Sequence, residues 1–99
     1  MILHTINKSP FNSSCFSECL ALCSANSSVL LLEDGVYAAQ AGTDSADTIS
    51  RRTDINFYLL AADVNARALN TTLCGNITVV NDHGFVELAA SHHTVQSWY

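Results

Sequence analysis

The chain has 99 residues, of which 48% are hydrophobic and 13% charged, with one proline and four glycines. This is enough for one domain with its own core, and too apolar for a disordered segment. Nine acidic against four basic side chains leave a net charge of −5, which repels phosphate backbones and argues against a direct grip on nucleic acid.

Met1 to Ile6 reads as a first strand, apolar at Ile2, Leu3 and Ile6, and Asn7-Lys8-Ser9-Pro10 ends it because proline cannot continue a central ladder. Asn12 or Ser13 can cap a helix running to about Ala25. Its apolar positions Phe11, Cys15, Phe16, Cys19, Leu20, Leu22 and Cys23 recur at spacings of three and four, as one inward face requires. Val29 to Leu32 then forms a continuous apolar run. A strand covered on both faces needs such a run, and such strands belong mostly to parallel sheets flanked by helices.

Glu33-Asp34-Gly35 stops this strand, and Asp34 is placed to accept from the free N–H groups of a short helix, Val36 to Gln40. Ligands and reactive groups collect beyond the carboxyl ends of strands in open α/β sheets, so this turn is a candidate site; the plainer reading of Asp34 is a helix cap. Ala41 to Asp54 has weak periodicity and reads as a loop with a turn of helix. Ile55 to Leu60 is the third strand, and Asp63 is expected to cap a helix over Val64 to Leu69. Ile77 to Val80 is the fourth strand. The turn Asn81-Asp82 follows it, then a helix from about Gly84 to Ser91 with Phe85, Leu88 and Ala89 inward, and an edge strand over Thr94 to Tyr99. The repeated order of strand, acid-bearing turn and helix predicts an α/β fold: a single domain over residues 1–99 with a mostly parallel sheet of four to five strands.

The sequence has no Gly-x-Gly-x-x-Gly or Walker spacing and no Gly-x-Ser-x-Gly elbow, so neither a nucleotide enzyme nor a serine hydrolase is expected. Met1-Ile2-Leu3-His4 lacks the basic start and apolar run of a signal peptide, and the longest aliphatic stretch is too short to span a bilayer. A cytoplasmic protein without a membrane partner is expected. In that setting the Asn-x-Ser/Thr triplets at Asn7, Asn12, Asn26, Asn70 and Asn76 are chance occurrences in an Asn-, Ser- and Thr-rich chain. The low charge leaves few ionic groups to cover a monomer's surface, and association with partners is expected.

Cys15, Cys19 and Cys23 recur every four residues along one helical stripe. As metal ligands they lack Cys-x-x-Cys pairing and a nearby fourth ligand. As disulfides they do not suit a cytosolic chain. As small buried hydrophobes they need no further explanation, whereas a sulfur-carrying role requires a thiolate within reach of solvent or a partner. Cys15 is nearest the positive end of the helix dipole; Cys74, before a strand, reads as structural. His4, His83, His92 and His93 lack acids or thiols at ligand spacing and read as surface or partner-contact residues. Trp98 and Tyr99 are candidate interface anchors.

Four blocks carry a resemblance across essentially the whole chain. They are Leu3-His4-Thr5-Ile6-Asn7-Lys8-Ser9-Pro10-Phe11, Val29-Leu30-Leu31-Leu32-Glu33-Asp34-Gly35-Val36-Tyr37-Ala38-Ala39, Asp63-Val64-Asn65-Ala66-Arg67 and Thr94-Val95-Gln96-Ser97-Trp98. Together and in this order they resemble the DsrH/TusB family. The resemblance implies a DsrE-like domain inside a DsrEFH or TusBCD heterohexamer, with DsrE/TusD-like and DsrF/TusC-like subunits as partners. Such complexes pass sulfur as a cysteine persulfide to and from carriers of the TusA and DsrC/TusE type, for tRNA wobble uridine 2-thiolation or for sulfur oxidation. The principal sulfur-accepting cysteine sits on the DsrE/TusD subunit. DsrH-type members nevertheless keep a first-helix cysteine, and Glu18-Cys19-Leu20 matches its position, so the resemblance makes Cys19 the candidate persulfide carrier. Cys15 and Cys23 depart from the expected pattern. No cofactor or metal is implied. The rival readings are a purely structural subunit that positions its neighbour's cysteine, and a free-standing small-ligand binder of the same fold.

Overall fold

The computed structural model describes residues 2–98. Met1 of the expected first strand and Tyr99 of the expected last one lie outside them. Five strands, β1 (Ile2–Ile6), β2 (Ser28–Leu31), β3 (Asn56–Leu60), β4 (Ile77–Val80) and β5 (Thr94–Trp98), form one sheet in the order β4-β3-β2-β1-β5. Every pairing is parallel. The α/β expectation therefore holds at its upper strand count, with β5 at an edge beside β1.

The helices are α1 (Cys15–Leu22), α2 (Asp44–Arg51), α3 (Ala61–Ala66) and α4 (Asp82–Ser91), with a 3-10 helix over Glu33–Ala39. The chain steps from β1 through β4 in one direction across the sheet and then returns past β1 to place β5. A right-handed crossover puts forward and backward connections on opposite faces. On one face, Ile6, Val29, Leu31, Phe57 and Leu59 meet Phe16, Cys19 and Leu20 of α1, Val36 of the 3-10 helix, Ile49 of α2 and Val64 of α3 in a continuous core. Leu3, Thr5, Ser28 and Leu30 alternate to the other face, which α4 covers. All four residues of β2 are buried, as its unbroken apolar run requires.

Several local expectations change. The first helix is shorter at both ends than Asn12 to Ala25. Residues 9 to 12 fold into a turn, with Asn12 N–H donating to the Ser9 carbonyl at 3.1 Å, and the helix begins only at Cys15. The N-cap position falls to Ser14, whose side chain makes no cap hydrogen bond, and Ser13 only supports the entry turn, its Oγ accepting from Cys15 N–H at 3.2 Å. Phe11 precedes the helix and Leu22 lies on the order of 90° from the centre of its buried arc, so neither points inward as expected. Both are exposed.

The segment expected to be a loop contains α2. The Thr43 side chain caps it by accepting from Ala46 N–H, acids stand in its first turn and Arg51 in its last, and only Ala46 and Ile49 are buried. A helix held by its ends and by two inward residues leaves little hydrophobic periodicity to read. Asn76 secures its far end by donating to the carbonyls of Ile49 at 2.8 Å and Arg52 at 3.2 Å.

Asp34 and Asp63 are not the caps expected of them. Asp34 lies within the 3-10 helix, which begins at Glu33 rather than Val36, and α3 starts directly from β3, three residues before Val64. Ala68, with φ 55°, diverts the chain before the expected end at Leu69. The third acid-bearing turn behaves more nearly as read: the Asn81 side chain caps α4 by accepting from Gly84 N–H at 2.9 Å. Phe85, Leu88 and Ala89 face the sheet, half-buried.

Candidate functional site

The face of α1 that meets the sheet brings the cysteines together. Cys15 and Cys19 are buried, Cys19 completely, and Cys23 is half-buried at the helix end. Cys23 lies just past the last helical residue, where the backbone turns to extended geometry with ψ 132°, while its N–H still donates to the Cys19 and Leu20 carbonyls. The Sγ atoms of Cys19 and Cys23 are 4.0 Å apart, within hydrogen-bond reach for sulfur.

Arg52 closes this end of α1 from the segment leading into β3. Its Nη1 donates to the Leu20 carbonyl and its Nη2 to the Cys23 carbonyl, both at 3.4 Å. Asp54 fixes the guanidinium through Nε at 3.0 Å and Nη2 at 3.2 Å. Orphan carbonyls at a helix C-terminus favour such a cation. The sequence shows only an Arg-Arg pair in a weakly patterned stretch; the register that carries Arg52 to α1 belongs to the sheet.

These surroundings divide the two thiols. The hydrogen bond to Cys23 raises the Cys19 pKa most, followed by burial and by proximity to the Cys23 and Cys15 sulfurs, so Cys19 keeps its proton. The Cys23 pKa is lowered. The hydrogen bond from Cys19 is the largest cause, with the Arg52 charge and a Ser27 hydrogen bond adding to it against burial and the Asp54 charge. The site is a pair of neighbouring thiols in which Cys23 is the more exposed and the more readily ionised and Cys19 is the sealed one. Sequence reasoning placed the candidate role on Cys19, which has no exposed surface in this chain, and gave no role to Cys23. Cys74 is held as a structural residue would be: its N–H donates to the Ala39 carbonyl at 2.9 Å, and burial is the main cause raising its thiol pKa.

The turn at the carboxyl end of β2 carries a separate charged network. Glu33 adopts φ 50°, left-handed for a non-glycine residue, and its N–H donates to the Asp63 carboxylate at 2.7 Å. Arg67 pairs with Asp34 at 2.9 Å and its guanidinium lies 6.0 Å from the Tyr37 ring centroid. Asp34 and Asp63 thus tie the 3-10 helix to α3.

Two of the four histidines depart from the surface role expected of them. His4 is buried and its Nδ1 accepts from Trp98 Nε1 at 3.1 Å, an arrangement that also turns Trp98 inward. Half-buried His92 joins the Leu88 carbonyl at 2.6 Å and the Ser28 hydroxyl at 3.0 Å, linking α4 to β2. His83 is exposed and lies 2.6 Å from Glu87. His93 is also exposed. Among the described residues, no three His, Cys, Asp or Glu side chains are placed to share a metal ion. No helix among them is long and apolar enough to cross a membrane.

The family model described as "DsrH like protein" matches residues 8–95. The chain is 36% identical to Protein TusB of Erwinia tasmaniensis and 33% identical to Protein TusB of Escherichia coli; each match runs over 97 residues and covers 98% of this chain and 100% of the relative. Its fold is similar to the crystal structure of the ychN protein from Escherichia coli, with TM-score 0.76 at 13% identity over 97% of both chains. A protein of unknown function from Methanobacterium thermoautotrophicum shares the fold with TM-score 0.69 at 14% identity, over 96% of each chain. Because the family model spans most of the chain and the curated relatives are matched end to end, this protein belongs to the DsrH/TusB family.

Proposed function

We propose that this chain is a subunit of a cytoplasmic sulfur-relay complex of the DsrEFH/TusBCD type and works beside DsrE/TusD-like and DsrF/TusC-like subunits in a heterohexamer. The family match over nearly the full length carries the reading. A side of the molecule left half-covered supports assembly: α4 contains no fully buried residue, and Val86 and Val95 are exposed. In this reading sulfur passes between this complex and carriers of the TusA and DsrC/TusE type, in tRNA wobble uridine 2-thiolation or in sulfur oxidation. A cysteine persulfide moves its outer sulfur when a thiolate attacks it, with no net redox change. Cys19 is the candidate carrier in this chain; it is sealed and holds its proton in the isolated fold, so loading it requires the end of α1, where Cys23 and Arg52 meet, to open in the assembled complex. Two experiments test the proposal. Incubating the assembled complex with a persulfide donor and mapping each subunit by mass spectrometry should find one added sulfur on Cys19. Expressing this chain in cells lacking TusB should restore 2-thiouridine if it serves tRNA; no restoration despite co-elution with the host subunits favours oxidation.

Complete burial of Cys19 favours a second reading, in which the chain is a structural subunit that assembles the complex and positions its neighbour's cysteine. No added sulfur on any cysteine of this chain, with the partner subunit loaded, is its expected result. Failure to co-elute with such partners in gel filtration would overturn both readings.

A further inference from the structure

We propose that Cys23 and Cys19 form a dithiol exchange site, in which Cys23 attacks an incoming disulfide and Cys19 resolves the product into an intrachain bond. The inference rests on the geometry of this chain and is independent of sulfur relay. Three observations converge on it. The two sulfurs are 4.0 Å apart, and Cys19 has no exposed surface whereas Cys23 is half-buried. Cys23 sits just past the last helical residue, where the chain leaves the helix with ψ 132°, so the turn that sets it opposite Cys19 is the end turn, which can open without disturbing the rest of α1. Closing the bond requires the sulfurs to approach to about 2.05 Å and the Cβ atoms, about 5–6 Å apart across a helical turn, to draw in to about 3.5–4.5 Å, so this end turn must loosen as the bond forms. Finally, the Arg52 guanidinium, anchored by Asp54, lies over this end of α1 and favours a thiolate at Cys23.

The reaction balances in two steps. The Cys23 thiolate attacks one sulfur of R–S–S–R, forming Cys23–S–S–R and releasing RS⁻. Cys19, losing its proton to the released thiolate, then attacks the Cys23 sulfur; the Cys19–Cys23 disulfide forms and a second RS⁻ departs. The dithiol is oxidised by two electrons and the incoming disulfide is reduced to two thiols. The order follows from the structure. An incoming disulfide reaches half-buried Cys23 before Cys19, which has no exposed surface, and capping Cys23 ends its hydrogen bond with the Cys19 sulfur.

The test uses the full chain, reduced and then treated with a small aromatic disulfide, with free thiols alkylated and peptides mapped by mass spectrometry. The wild type should release two thiols at this site and end with a Cys19–Cys23 bond and no lasting adduct on Cys23. Cys19→Ala, which places no hydroxyl in the core, should stop at a mixed disulfide on Cys23; Cys23→Ala should leave Cys19 unmodified until denaturant is added. A lasting adduct on wild-type Cys23, or modification of Cys19 before Cys23, overturns the proposal. Circular dichroism establishes that each variant folds, and if one does not, the order and end product in the wild type decide alone. Persulfide loading in the assembled complex reads the relay function separately, so either idea can fail without the other.

Discussion

Arg52 touches α1 only through carbonyl oxygens, yet its charge adds to the hydrogen bond from Cys19 in favouring a thiolate on the Cys23 sulfur beside them. Removing its charge while keeping most of its length, as in Arg52→Met, should move the pH midpoint for alkylation of Cys23 upward, because a cation that favours the thiolate is lost. The alkylation rate of Cys23 measured across pH checks this, and Arg52→Lys, which keeps the charge without the fork, should restore part of the shift. His4 gives a second residue-scale expectation. Burial lowers its pKa from the ordinary 6.5, so at neutral pH it is uncharged in the folded and mostly uncharged in the unfolded state. As pH falls below 6.5 the unfolded state takes up the proton first, and stability declines from there toward the lower folded value. Protonation of Nδ1 also removes the acceptor used by Trp98, the single tryptophan of the chain. Denaturant midpoints should therefore fall over that window and tryptophan emission should change with them, and His4→Phe should abolish both responses.

At the scale of elements, two joints hold the α/β frame. Gly35 brings the 3-10 helix against β1 so closely that a Cβ there would lie 2.2 Å from the Ile6 carbonyl oxygen. Gly35→Ala must push backbone against backbone, and a loss of about 3 kcal/mol, at the upper end of overpacking costs, should appear in urea unfolding. The second joint is α2, whose hold on the core is Ile49, fully buried. Ile49→Ala should cost about 2–5 kcal/mol, whereas Thr43→Ala, which removes the cap and the hydroxyl's bonds to the Gln40 carbonyl and Ser45, should cost about 1–2 kcal/mol. The ranking of the two variants by chemical denaturation tests whether packing or capping holds this short helix.

For the whole molecule, the two faces of the sheet are unequally covered. One carries α1, α2, α3 and the 3-10 helix over a continuous core, while the other has α4 alone. Val86, 64% exposed on α4, contributes little to the fold of the single chain. Val86→Glu should therefore change its stability by no more than about 0.5 kcal/mol. Under the proposed assembly the same substitution should weaken co-elution with DsrE/TusD-like and DsrF/TusC-like partners in gel filtration, since it places a charge on an apolar contact surface. Unchanged co-elution would move the interface away from α4. The net charge of −5 agrees with a subunit that leaves contact with nucleic acid to others.

The unbroken run Val29 to Leu32 and the repeated strand and helix segments were enough to determine an α/β fold with a parallel sheet, because burial on both faces and hydrophobic period are local properties of the chain. The four quoted blocks likewise determined the family. Ends of elements were less legible: α2 is held by caps and two inward residues, and α3 begins three residues before Val64 because the chain turns into it directly from β3. The cysteine stripe was readable in sequence, but the distinction between its members was not. It takes the sheet register to carry Arg52 to the end of α1, and the packing of α1 to seal Cys19 while leaving Cys23 at the margin. Spacing along one helix fixes which sulfurs are neighbours; the burial and the Arg52 charge that the rest of the fold brings to them make their surroundings unequal.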